Sequence, residues 1–556
     1  LATTFVFAAA TVASAQSVSP DTLLAHVRYL ASDELAGREA GEPGADSAAA
    51  YIAQHMQAYG LEPSGTAGYL QDFEITTTIS IAPDSRLVLQ SARGTRELKL
   101  YEEWLPFNFS GGGSTSGEAF HAGYGLSAED YDEFASHSEV SRIVVLRGGI
   151  PEDFDPHASD VDPSPRRKAT LAREQGAEAV LITVPRIRVP QRGDPPHAVG
   201  IPAIQILERE DILTWLSDDE LGVVLAAKVE PLRVKAYNVV GRLAGRDPKW
   251  ADEVIVVGAH YDHLGMGGPG SLAPDIEAVH NGADDNASGT SVLLELAKYF
   301  AADMSRRPAR SLVFVAFSAE EMGLLGSDYF VSNPPFPLEK AVAMVNYDMV
   351  GRLREGKLQV FGTETAEEFP ALLDSLDARS PLTLSHIGDG YGPSDQTSFY
   401  ARKIPVLHLF TGTHSEYHRP EDDWQLVNAD GLAQVVDFSI VLIEALGNRP
   451  GRLQLVEQER PQVRGGGYGP YLGTIPDFGE VEGGGLRLSG VRLGSPADRA
   501  GLQAGDIVTE FAGKQVLNIY DYTYALRAHA PGDTVVIKVR RDGEVLELSA
   551  VLGRRE

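Results

Sequence analysis

Residues Val279–Gly289 read VHNGADDNASG and run directly into TSVLLELAKYF, Thr290–Phe300. The second stretch has the apolar spacing of an amphipathic helix. The first sets two aspartates side by side at its mouth, fenced by glycine and small residues. Aspartate near a helix N-terminus is favourable without any ligand, so the pair alone decides little. Its context decides more. Upstream, VIVVGAH at Val254–His260 is apolar until it ends on a histidine, which reads as a buried strand feeding a loop and then a helix.

The same pattern recurs downstream. SLVFVAFSAEE (311–321), AVAMVNYDM (341–349) and IPVLHLF (404–410) are apolar runs separated by helical segments. Strands that are apolar throughout need both faces covered, which predicts an α/β domain with a doubly wound, mostly parallel sheet. In such a sheet the carboxyl ends of the strands border the ligand crevice. His260 and Asp262, Asp284 and Asp285, Glu320 and Glu321, Asp348, and His418 all follow these runs. Imidazole and carboxylate are the donors zinc accepts, and two zinc ions roughly 3.5–4 Å apart need a bridging carboxylate. The clusters therefore read as pieces of one distributed metal site. Asp262 is placed to orient His260, and Glu320, beside Glu321, is left free to move a proton.

The chain has 556 residues, which implies several cores rather than one. Its 48 Lys and Arg against 78 Asp and Glu leave a formal charge of −30, unsuited to nucleic acid or anionic membrane faces. Cysteine is absent, so metal ligands must come from His, Asp and Glu. No internal apolar run is long enough for a transmembrane anchor. The opening LATTFVFAAATVASAQ has the apolar region and small-residue site, Ala13-Ser14-Ala15, of a secretory signal over residues 1–15, which predicts a periplasmic or secreted protein.

The ordered motifs GAHYDHLG, NGADDNASG, FSAEEMGLLGS, NYDMVGR and GTHSEYHRPEDD resemble those of the zinc aminopeptidases of peptidase family M28. The resemblance implies a zinc-exopeptidase fold over residues 20–110 plus 234–446 and two Zn2+ per chain. It implies His260, Asp285, Glu321, Asp348 and His418 as metal ligands, with Asp285 bridging, and a cis peptide from Asp285 to Asn286. Glu320 would be the general base, Asp262 a partner of His260, and Tyr417 a stabiliser of the oxyanion. The substrates would be peptides with a free N-terminus.

Residues 111–233, through SRIVVLRGG and GIPAIQI, resemble an inserted protease-associated domain. A linker is expected over 447–461. Residues 462–556 resemble a PDZ domain, whose loop at Tyr471, Leu472 and Gly473 would take a peptide or protein C-terminus beside an open strand edge. Two other functions fit parts of this pattern: a glutaminyl cyclase-like acyltransferase using one zinc, and an inactive protein that binds peptides through the PDZ domain.

Overall fold

The computed structural model describes residues 18–554 apart from 129–130, 135–141, 152–160, 192–196, 269, 275, 458–468, 478 and 480. The signal-like segment 1–15 lies outside the described residues. Four parallel strands form the centre of a nine-stranded sheet, in the order Ser311–Phe317, Val254–His260, Ala341–Tyr347, Val406–Phe410. The first three are buried at every position, as their unbroken apolar sequence requires. One side is extended by the antiparallel strand Val229–Leu243, which pairs in turn with Leu70–Ile81. The other is extended by Lys357–Phe361, antiparallel to Val406–Phe410, and by Thr383–Ile387. The sheet is thus mixed at its edges and parallel where the candidate site sits.

Helices cover both faces. Pro20–Leu30, Pro43–Ala58, Gly289–Ala301 and Ala429–Asn448 share one core with Val257, Phe314 and Val345. Leu325–Ser332 and Gln396–Ala401 close the opposite face through Phe330 and Phe399. Helices Pro20–Leu30 and Pro43–Ala58 are joined by the short 3-10 helix Asp33–Arg38.

The second sheet has eight strands and begins earlier than the sequence reading placed it. Arg86–Ser91, Gly94–Leu98 and Trp104–Pro106, assigned above to the first peptidase segment, pair instead with Gly222–Ala227, with one another and with Ala203–Leu207. Leu87, Leu89, Leu98 and Trp104 share the apolar core of Ile143, Leu181 and Ile204, which is what fixes their membership. The expected boundary between 233 and 234 likewise falls inside one continuous strand, Val229–Leu243.

The expected linker is partly tied down. Arg310, fully buried, donates to the carbonyls of Leu446, Arg449 and Gly451, and Val456 N–H donates to Thr365 O at 2.9 Å. Beyond the undescribed residues 458–468, the C-terminal unit has its own core around Leu488, Phe511, Ile537 and Val539. It docks on both other units. Asp521, in helix Ile519–Arg527, pairs with Arg173 of the inserted unit at 3.1 Å, and Asn518 Nδ2 donates to the carbonyls of His197 and Ala198. On the side of the nine-stranded sheet Arg492 pairs with Asp389 at 3.0 Å and lies over the ring of Tyr391.

Candidate metal centre

The strand Val254–His260 delivers His260 to the carboxyl edge of the sheet, and its neighbours deliver the others. Phe317 ends the strand before Glu320 and Glu321, and Tyr347 ends the strand before Asp348. His260 Nε2 lies 3.3 Å from Asp285 Oδ1 and 3.4 Å from Asp348 Oδ1. On the other side of the same carboxylate, His418 Nε2 lies 3.2 Å from Asp285 Oδ2 and 3.1 Å from Glu321 Oε2. The two oxygens of Asp285 thus face two different imidazoles, the arrangement a bridging carboxylate requires. The Asp285–Asn286 peptide is cis.

The adjacent aspartates divide. Asp284 turns inward, where Oδ1 accepts from Gly351 N–H at 2.6 Å and from the Ser288 hydroxyl at 3.0 Å, while Oδ2 lies 3.2 Å from His414 Nε2. Gly282 makes the turn possible. Its φ is +55°, and a Cβ there would meet the His263 ring at 2.5 Å.

The adjacent glutamates divide as well. Burial and the Asp285 charge raise Glu321, but hydrogen bonds to His263 and His418 outweigh them and hold it at about 2. Burial pushes Glu320 well above the usual carboxylate range. His260 opposes this, and the charges of Glu321, Asp348 and Asp395 add to it. One glutamate is therefore held ionised against imidazoles, and its neighbour holds a proton readily. Two carboxyls with pKa values driven apart in one pocket are the usual mark of divided ligand and acid–base roles.

Asp262 differs from its expected placement. Its carboxylate is 3.7 Å from His260 Nδ1, too long for a hydrogen bond, while its main-chain carbonyl is at 3.3 Å. The carboxylate instead accepts from the N–H groups of Glu320, at 3.2 Å, and Glu321, at 3.4 Å, and so anchors the loop carrying both glutamates. Tyr417 stacks on His418 with ring centroids 3.9 Å apart. Burial, followed by the Asp285 and Glu321 charges, raises its hydroxyl well above the usual range and keeps it protonated.

His263 was missed. Its Nδ1 lies 2.7 Å from Glu321 Oε1, and the HYDHLG motif carried it in plain view, three residues after His260. Two groups each bring their ligand atoms within 4.8 Å of one another: His260, Glu320 and Asp348 form one, and His263, Asp285 and Glu321 the other. Asp348 Oδ1 is buried without a hydrogen bond, and most of the converging groups are acceptors. A set of imidazoles and carboxylates around a buried acceptor without a donor fits a pair of divalent cations.

In the C-terminal unit, Leu472 O accepts from Ala497 N–H and Gly473 O from Arg492 N–H, so the Tyr471–Gly473 loop is held from one side. Gly473 has φ +90°, and a Cβ there would lie 2.3 Å from Ser495. Thr474 Oγ1 and Tyr522 Oη, 2.6 Å apart, link strand Thr474–Pro476 to helix Ile519–Arg527. No helix among the described residues is long and apolar enough to cross a membrane.

Residues 238–443 match the family model described as peptidase family M28, and 461–552 match the model for PDZ domains. Among curated proteins, "Aminopeptidase YwaD" of Bacillus subtilis is 29% identical over 289 residues, covering 49% of this chain and 57% of that protein. An "Aminopeptidase" of Pseudomonas aeruginosa is 26% identical over 334 residues, covering 56% of this chain and 54% of that protein. The chain thus spans somewhat over half the length of these relatives. Among solved structures, an aminopeptidase from Aneurinibacillus sp. strain AM-1 aligns with a TM-score of 0.48 at 22% identity, covering 80% of this chain and 97% of that one. By these matches, residues 238–443 are similar to the M28 peptidases and residues 461–552 to PDZ domains.

Proposed function

We propose that the chain is a dizinc aminopeptidase that removes N-terminal residues from peptides. The observation that carries this is the placement of the two Asp285 oxygens against His260 on one side and His418 on the other. His260, Asp285 and Asp348 would hold one zinc, and Asp285, Glu321 and His418 the other, with His263 supporting Glu321. Bound there, zinc supplies a Lewis acid that acidifies water and polarises the scissile carbonyl.

The chain's own residues do the rest. Glu320 takes a proton from the attacking water and passes it to the departing amine, a task suited to a buried carboxyl with a raised pKa. Tyr417, kept protonated, donates to the oxygen that gains charge. Asp262 holds the Glu320–Glu321 main chain in place. The substrate's free amine is received by the carboxylates of Glu320, Glu321 and Asp348. The names of the relatives, aminopeptidases from two bacteria, favour the same reading.

The inserted unit, an α/β sheet between the two peptidase segments, is proposed to be a protease-associated domain. The Tyr471–Gly473 loop is proposed to receive a peptide C-terminus. A periplasmic or secreted location is supported by the apolar segment ending at Ala13-Ser14-Ala15.

Hydrolysis of aminoacyl anilides tests the activity. Free aminoacyl anilides should be cleaved and their N-acetylated counterparts spared; equal rates on both, or none on either, would refute the proposal.

A further inference from the structure

The glycine-rich bend LAGREAGEPG carries one buried charge. Arg38 is 0% exposed, yet its four hydrogen bonds all go to main-chain carbonyls. Nε donates to Tyr261 O at 2.7 Å, Nη1 to Asn281 O at 2.7 Å and to Leu30 O, and Nη2 to Gly282 O at 3.0 Å. Tyr261 lies directly after His260, and Asn281 and Gly282 are separated from the paired aspartates by Ala283 alone. The contact is reciprocated, since His263 N–H donates to Arg38 O at 3.2 Å. It is also close: Gly37 has φ +71°, and a Cβ there would fall 2.3 Å from Gly265 O and 2.7 Å from His280 O.

The other side of the same loop meets a buried anion. Asp422 Oδ2 accepts from the N–H groups of Asp284, at 2.9 Å, and Asp285, at 3.1 Å, and Asp422 O accepts from Ala283 N–H at 2.9 Å. Arg352 donates to Asp422 Oδ1 at 2.8 Å. Segment 281–285 thus turns carbonyls toward a guanidinium and N–H groups toward a carboxylate, each the partner its polarity favours. Asp422 also lies four residues after His418, so the same contacts tie that ligand's turn to the bridging loop.

We infer that Arg38 and Asp422 are positioning residues, a two-sided clamp that holds Asp285 in register with His260 and His418. Neither reaches the reacting atoms. Both act through main chain, so they set where ligand oxygens sit without supplying any. Four carboxylates, those of Asp285, Glu320, Glu321 and Asp348, converge in this pocket and repel one another. The loop presenting the bridge needs an anchor independent of the cations it binds. Lysine cannot replace Arg38, because a single ammonium lacks the planar fork that reaches three chain segments at once. This inference rests on the reading of Asp285, His260 and His418 as metal ligands.

The test uses the full chain with R38K, D422N and the double variant. Zinc affinity is read by competition with a chromophoric chelator, and kcat and KM on a free aminoacyl anilide. Each single variant should weaken zinc binding at least about tenfold and lower kcat with little change in KM. The double variant should be no worse than the poorer single one, because both grip one loop. Wild-type zinc affinity in D422N, or independent multiplication of the two effects, would overturn the clamp. So would a lowered melting temperature with zinc binding intact. If R38K does not fold, D422N decides the question by the same competition. If the native protein binds zinc but cleaves no anilide, the aminopeptidase reading fails while the zinc affinities still judge the clamp.

Discussion

Asp285 Oδ2 lies 3.2 Å from His418 Nε2, joining a residue at the mouth of a helix to one in a loop beyond the last central strand. Its other oxygen faces His260, so this carboxylate is the one group common to both halves of the centre. The proposed activity depends on that sharing.

D285A should therefore lose both metals rather than one. Metal counting on the purified variant is expected to give fewer than one equivalent per chain, with turnover lowered at least about a thousandfold. Two tightly held equivalents with normal turnover would contradict the bridging role.

E320Q should behave in the opposite way. The neighbouring Glu321 carries the contacts to His263 and His418, so the variant should keep both metals. Loss of the proton carrier should cost roughly a hundred- to ten-thousandfold in kcat. Zinc loss in E320Q would make Glu320 a ligand and end the division of roles between the two glutamates.

Breaking the pair of Arg173 and Asp521 should loosen the C-terminal unit. Both side chains are nearly buried, and removing one charge strands the other, at a cost of about 3–5 kcal/mol. D521A should lower or split the calorimetric transition while leaving zinc stoichiometry at two. An unchanged single transition would show that this contact does not hold the units together.

Asp328 gives the interface a pH dependence. Burial, and then the Asp477 charge from the C-terminal unit, raises it to about 6, while Arg402 and Arg487 oppose the shift. An unfolded aspartate titrates near 3.9, so between about pH 4 and 6 the folded state holds the extra proton. Stability falls as pH rises through this window and levels off above it, by on the order of 1–3 kcal/mol. D328N should melt higher than the native protein at pH 7 and show no advantage at pH 4. An advantage constant across that range would contradict the assignment.

Much of this was legible in the residues. Val254–His260, Ser311–Phe317 and Ala341–Tyr347 are apolar at nearly every position, and a strand buried on both faces has no other pattern. The five residues named as ligands converge because each follows such a strand or its connected loop. What escaped were partnerships set by long-range packing. Alternation along Arg86–Ser91 shows which side chains point inward, but not that the strand joins Gly222–Ala227 rather than the peptidase sheet. The Asp262 carboxylate looked placed for His260, yet the turn aims it at two N–H groups 58 and 59 residues away. An arginine in a glycine-rich bend is ordinarily exposed, and only the fold shows four carbonyls converging on Arg38.

The most direct measurement is a zinc titration of metal-depleted protein, followed by hydrolysis of a leucyl anilide. The account predicts that activity rises with added zinc and saturates at two equivalents per chain, with the N-acetylated anilide uncut throughout. Saturation at one equivalent, or hydrolysis that does not respond to zinc, would contradict it.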